Sequence, residues 1–189
     1  AVSRCEMITK TKDELTGVRY CIEGGTEVEY EEIGAPDGTS IIIRDIFYNT
    51  PARRKFMKSD AAEATVIIDM IQKIAIYYSH IAFTNIAFKF ISNGQIKLQT
   101  NGSGNLKDIV YQLYGKEISK ALCNVDYKKD GIKISGVVAR PEVTRSSRNL
   151  ENIFVNGRYI KDNIISKAIE DGFGDRLMQH QYPFCALSF

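Results

Sequence analysis

Three dipeptides limit what this chain can fold into, because each reverses it sharply. Gly24-Gly25, Asn93-Gly94 and Asp130-Gly131 place residues tolerant of positive φ between β-forming runs. Ahead of the first, Val18, Tyr20 and Ile22 alternate with Arg19, Cys21 and Glu23, the period of two of a strand with one buried face. Residues 4–10 also read as a strand, and 26–33 as a strand or extended edge. Around the second turn, Ile86, Phe88 and Phe90 alternate on one side and Ile96 and Leu98 on the other, so a hairpin is expected. Around the third, residues 121–127 and 132–139 are strand-like. Thr39 to Phe47 is β-branched with little alternation, as expected of a strand buried on both faces.

Helices announce themselves by caps and by steps of three and four. Thr50 and Pro51 suit a helix start, with a short helix over 51–57. Asp60 and Glu63 resemble a capping box for a helix over 61–78. Its apolar face comprises Ala64, Ile67, Ile68, Ile71, Ile74 or Ala75, and Tyr78. Asn105 caps a helix that packs Leu106, Ile109, Val110 and Leu113 inward and ends at Gly115. Residues 140–150 form a polar basic loop. Asp162 caps a helix reaching Phe173, with Ile164, Ile165, Ala168 and Ile169 inward. Strands at Ile153-Phe154-Val155 and at 183–189 flank that helix, which favours a right-handed parallel crossover. The polar stretch Thr100-Asn101-Gly102-Ser103-Gly104-Asn105 is the best linker. The reading is therefore α+β with a boundary near residue 100.

A chain of 189 residues buries enough surface to fold without a metal or disulfide. Cys5, Cys21, Cys123 and Cys185 have no zinc-knuckle or redox-pair spacing and read as reduced, packed thiols. No run of 18 apolar residues and no signal peptide occurs, so a cytosolic protein without membrane contact is expected. The chain starts without Met and stops within an apolar run, so both ends read as cut. The net charge of +2 gives no strong basic excess, and any nucleic-acid site must be a local patch.

Self-contained catalysis finds no support. The sequence has no HExxH, no phosphate-loop motif, no GxGxxG and no Ser/His/Asp pattern. His80 and His180 stand without metal-ligand neighbours and read as structural, and Glu31-Glu32 as solvated; no metal site is expected.

Two strings carry a family resemblance. Residues 38–56, Gly-Thr-Ser-Ile-Ile-Ile-Arg-Asp-Ile-Phe-Tyr-Asn-Thr-Pro-Ala-Arg-Arg-Lys-Phe, resemble nearly position for position the segment after the ATP lid of MutL-type DNA mismatch-repair proteins. Residues 151–169 contain Phe154-Val155-Asn156-Gly157-Arg158 and resemble the family's later Phe-Val-Asn-Gly-Arg string, in order and at about its separation. The resemblance implies a fragment of an N-terminal region. Residues 1–100 would be the C-terminal portion of an ATPase module of the GHKL type, part of an α/β sandwich. Residues 101–189 would be a ribosomal-protein-like transducer domain with a β-α-β crossover, truncated at its C-terminus.

It also implies roles. Gly38 and Thr39 match the strand edge at the family's nucleotide pocket. Arg158 matches an arginine lining a basic DNA groove, and Arg145, Arg148 and Lys161 flank it in sequence. Arg53, Arg54 and Lys55 are either a phosphate site or structural partners of carboxylates such as Asp45. The intact protein would be a weak ATPase using ATP and Mg2+. The family's catalytic Glu, metal-binding Asn and lid precede Ala1, so this fragment is expected to bind no cofactor and to be inactive. Implied partners are the phosphate backbone of double-stranded or mismatched DNA, a MutS-type recognition protein, and a second subunit, identical or paralogous. Location would be the bacterial cytosol or nucleoid, or the nucleus in a eukaryote. The rival readings are another GHKL ATPase of gyrase or Hsp90 type, and a non-enzymatic nucleic-acid or protein-binding module. The string Asn49 to Phe56 counts against the first; an upstream Asn-x-x-x-Glu helix and Gly-rich lid would discriminate the second.

Overall fold

The computed structural model describes residues 1–80 and 85–189, with His80 described by its backbone only. It is α+β and divides into two compact units, Ala1–Glu63 and Ala64–Phe189. Compactness divides the chain after Glu63, not at the boundary expected near residue 100. The long helix ahead of residue 100 packs with elements beyond it: Ile76 shares a core with Val110 and Phe154.

The first unit is a four-stranded antiparallel sheet. Strands β1 (Arg4–Lys10), β2 (Gly17–Glu23), β3 (Thr26–Ile33) and β4 (Gly38–Arg44) lie in the order β3-β2-β1-β4. Gly24 and Gly25 turn at φ 59° and 100°, as the dipeptide requires. Cross-strand register puts Met7 opposite both Tyr20 and Ile41, and Cys5 opposite both Ile22 and Ile43, on one apolar face. The other face is charged. Glu6 accepts from Arg19 Nε at 2.8 Å and from Arg44 Nη1 at 2.9 Å, and Arg19 also reaches Glu29 and Glu31. These bonds, Arg44 first, hold the Glu6 carboxyl below its ordinary value.

The expectation that residues 39–47 form a strand buried on both faces is corrected. β4 is an edge strand whose Ile41 and Ile43 are 63% and 52% exposed. Lack of alternation reflected β propensity, and only one neighbouring strand reaches it. The short helix α1 (Pro51–Arg54) does begin with Pro, but Thr50 makes no side-chain cap and its hydroxyl is buried without a partner among the described residues.

Helix α2 (Asp60–His80) begins where Glu63 accepts from the Lys58 amide at 2.9 Å. Of the face read from spacing, Ala75 is buried and Ala64, Ile68 and Ile71 are half-buried, whereas Ile67, Ile74 and Tyr78 are exposed; Ile76, outside that face, is buried instead. After it come the hairpin β5 (Lys89–Ser92) and β6 (Gln95–Gln99), turning at Asn93 and Gly94 as expected. Helices α3 (Leu106–Tyr114) and α4 (Lys116–Lys120) come next; Asn105 caps α3 through the Lys107 amide at 3.0 Å.

The rest of the second unit is a five-stranded sheet. Its main strands are β7 (Leu122–Lys129), β8 (Ile132–Ala139), β10 (Glu151–Val155), β11 (Arg158–Ile160) and β13 (Cys185–Ser188). A small bridge pairs β9 (Thr144–Arg145) with β12 (Tyr182–Pro183) inside what read as a loop. Strand order is β11-β10-β13-β8-β7, and β10 runs parallel to β13 around helix α5 (Asn163–Phe173). Asp162 caps α5 through the Ile164 and Ile165 amides, both at 2.9 Å.

Both faces of this sheet carry core. Phe154, Val137 and Ala186 point to Ile76, Val110 and Ile118; Ile153, Cys185 and Leu187 point to Ile165 and Ile169. Each such Ile or Phe contributes about 1.5–3 kcal/mol on burial. Ile164 and Ala168 were expected inward too, but both are exposed, Ile164 by 80%, beside an open apolar groove of about 1090 Å³. Among the described residues no helix is long and apolar enough to cross a membrane.

Candidate nucleic-acid interface

The turn between β10 and β11 presents Arg158. Asn156 and Gly157 take φ 46° and 85°, the mirror-image turn suited to a tight hairpin. The hairpin is held against α2. Phe154 is 4% exposed, with its ring 5.3 Å from that of Tyr77. A Cβ on Gly157 would collide with the Tyr77 hydroxyl oxygen, and φ 85° already favours glycine there. Lys73 pairs with Asp69 and sits 4.6 Å over the Tyr159 ring.

These contacts pack the hairpin against α2, and the residue it displays is exposed. Arg158 and Lys161 are exposed and make no ion pair among the described residues. Their neighbours in sequence are engaged. Arg148 grips Glu170 with two hydrogen bonds of 2.6 and 3.1 Å and stacks 5.1 Å over Tyr182. The bond to Glu170 raises the Arg148 pKa. Arg145 donates to the Thr144 carbonyl at 2.8 Å and lies 3.5 Å from Glu117. The four basic residues thus divide into two free groups and two held by carboxylates. Sequence proximity could not show this, because Glu117 and Glu170 lie 28 and 22 residues from their arginines.

Arg53, Arg54 and Lys55 are exposed, and Asp45 is not their partner; it pairs with Arg4 at 3.0 Å. The four-residue α1 offers no N-terminal site for an anion. Gly38 and Thr39 lie at the open edge of β4. Gly38 has φ 112° and nothing within 4 Å of a would-be Cβ, so a ligand could approach closely. The Thr39 hydroxyl shares a 2.8 Å hydrogen bond with that of Thr9. Among the described residues no group of three acidic, His or Cys side chains could hold a metal ion. The part played by Tyr77 and Lys73 escaped sequence reading; their only signal was an uninterrupted helical phase.

Comparison with known proteins decides the family. Residues 110–189 match the family described as DNA mismatch repair protein, C-terminal domain. The whole chain is 54% identical over 189 residues to the DNA mismatch repair protein MutL of Agathobacter rectalis. It is 40% identical over 189 residues to that of Lactobacillus acidophilus. The chain belongs to the MutL family. It spans 28% of the length of the first of these relatives and 29% of the second. In fold it resembles the Aquifex aeolicus MutL ATPase domain complexed with ADP, with TM-score 0.76 and 21% identity over 99% of this chain and 67% of that one. It likewise resembles the N-terminal domain of a DNA repair protein, with TM-score 0.73 and 18% identity over 100% of this chain and 61% of the other.

Proposed function

We propose that this MutL-family chain contacts the DNA backbone and transmits nucleotide state within an ATP-dependent mismatch-repair coordinator. On this reading residues 1–100 belong to the GHKL ATPase module and 101–189 to the transducer domain. The observation that carries it is Arg158: exposed, unpaired among the described residues, and set on a turn that Tyr77 and Gly157 hold in place. A guanidinium so placed offers a planar, permanently charged fork to a phosphate. Lys161 supplies a second cation nearby. Arg145 and Arg148 serve the same interface by ordering the loop that leads into β10, through Glu117 and Glu170.

Gly38 and Thr39 form one edge of the nucleotide site, and the intact protein completes it for ATP and Mg2+. Mismatched duplex, a MutS-type protein and a second subunit are the partners, and the cytoplasm the location. Arg53, Arg54 and Lys55 are an exposed basic surface of the ATPase module. Contacts of this kind are sequence-independent and weaken with salt. In the full-length protein, Arg158→Glu should abolish DNA stimulation of ATP hydrolysis while leaving the basal rate. Unchanged stimulation would remove Arg158 from the interface.

A further inference from the structure

The opposite edge of the same sheet carries a second unpaired basic group. The β7–β8 hairpin ends in Lys128-Lys129-Asp130-Gly131-Ile132-Lys133, with Asp130 and Gly131 at φ 50° and 81°. Lys128 and Lys133 are direct cross-strand partners. Like charges placed opposite one another weaken a sheet. All three lysines are exposed and make no ion pair among the described residues. Asp126 lies one same-face row below the lysine pair, and Asp130 occupies the turn. Lysine on an edge strand discourages edge-to-edge association, which accounts for Lys128 and Lys129 on β7. It does not account for Lys133 on β8, an interior strand.

Register places this tip at the same end of the sheet as Arg158. One cross-sheet row runs Tyr159, Phe154, Ser188, Ser135, Asp126. Arg158 stands one residue beyond that row, and Lys128 and Lys133 two residues beyond it, in the same direction; alternation puts Lys129 on the face of Arg158 and Lys128 and Lys133 on the other, so a duplex meets them together only across the strand ends. Four strand spacings of about 4.8 Å separate the two edges, about 19 Å in all. At about 3.4 Å per base pair, that span is about five to six base pairs of duplex.

We infer that Lys128, Lys129 and Lys133 form a second DNA-backbone contact, so that one duplex lies along this end of the sheet from β11 to β7. The inference rests on the DNA reading of Arg158 and extends it to a two-point footprint within one unit.

The test uses the full-length protein, a labelled duplex of about 20 base pairs, long enough for the footprint and its flanks, and fluorescence anisotropy over a salt series. The variants are Lys128→Ser/Lys129→Ser/Lys133→Ser, Arg158→Ala, and, as a charge control, Lys89→Ser/Lys97→Ser on β5 and β6. The triple variant should lower the slope of log affinity against log salt by about two to three, and Arg158→Ala by about one. The control should change neither slope nor affinity, and the triple variant should melt no lower than the parent. A triple variant with parental affinity, while Arg158→Ala weakens binding, overturns the hairpin contact and leaves the DNA reading standing. Parental binding by both variants removes the DNA reading itself. A loss per lysine in the control equal to that in the triple variant assigns the effect to net charge and overturns the inference.

Discussion

Glu151 is a buried carboxyl at the start of β10. It is 4% exposed, and burial raises its pKa above the ordinary value, outweighing the lowering by the neighbouring Ser166 hydroxyl. Its stabilising form is therefore the neutral one. That stability is fully present below the unfolded-state pKa and is lost as pH rises through the higher folded-state value. Glu151→Gln removes the titration while preserving shape. The melting temperature of the variant should fall less than the parent's as pH rises from below the ordinary carboxylate range to neutrality; identical falls would show that Glu151 ionises without cost. Cysteine chemistry makes a second residue-scale prediction. Cys185 is fully buried and its thiol pKa is pushed up by that burial, whereas Cys123 is exposed. Alkylation of the native protein, read by peptide mass, should mark Cys123 and spare Cys185 until denaturant is added.

Elements differ in how far a sequence discloses them, and the difference is one of range. Asp162 caps α5 through two amides within three residues of itself, so local chemistry suffices. Asp162→Ala should cost about 1 kcal/mol in denaturant unfolding, and no loss would mean that the cap is idle. Asn105, Asn93-Gly94 and Asp130-Gly131 were legible for the same reason. Burial was not, because partners distant in sequence decide it. Ile41 and Ile164 look like core residues in any short window, yet one lies on an edge strand and the other beside an open groove. The candidate site divides along the same line. The exposed turn that bears Arg158 was legible from Asn156-Gly157; its support by Tyr77, far earlier in sequence, was not. Gly157→Ala tests that support: positive φ and the clash with Tyr77 should together cost about 1–3 kcal/mol. Tyr77→Phe in the same background should return part of that loss, because the clash is with the hydroxyl.

For the chain as a whole, a net charge of +2 provides little general attraction for DNA, so function depends on where charge stands unpaired. In the first unit, Arg4, Arg19 and Arg44 are spent on Asp45, Glu6, Glu29 and Glu31. In the second, Arg145 and Arg148 are held by carboxylates and Arg158 is not. A similar argument applies to nucleotide chemistry. Hydrolysis of ATP requires a base to activate water and cations to steady the phosphates. Gly38 and Thr39 supply a close approach and a hydroxyl, neither of which does those tasks. The 189-residue chain by itself should therefore release no phosphate from ATP above a protein-free blank, with or without duplex DNA and Mg2+. Saturable release that Thr39→Ala abolishes would place a working active site on the β4 edge and overturn the assignment of this segment to contact and transmission.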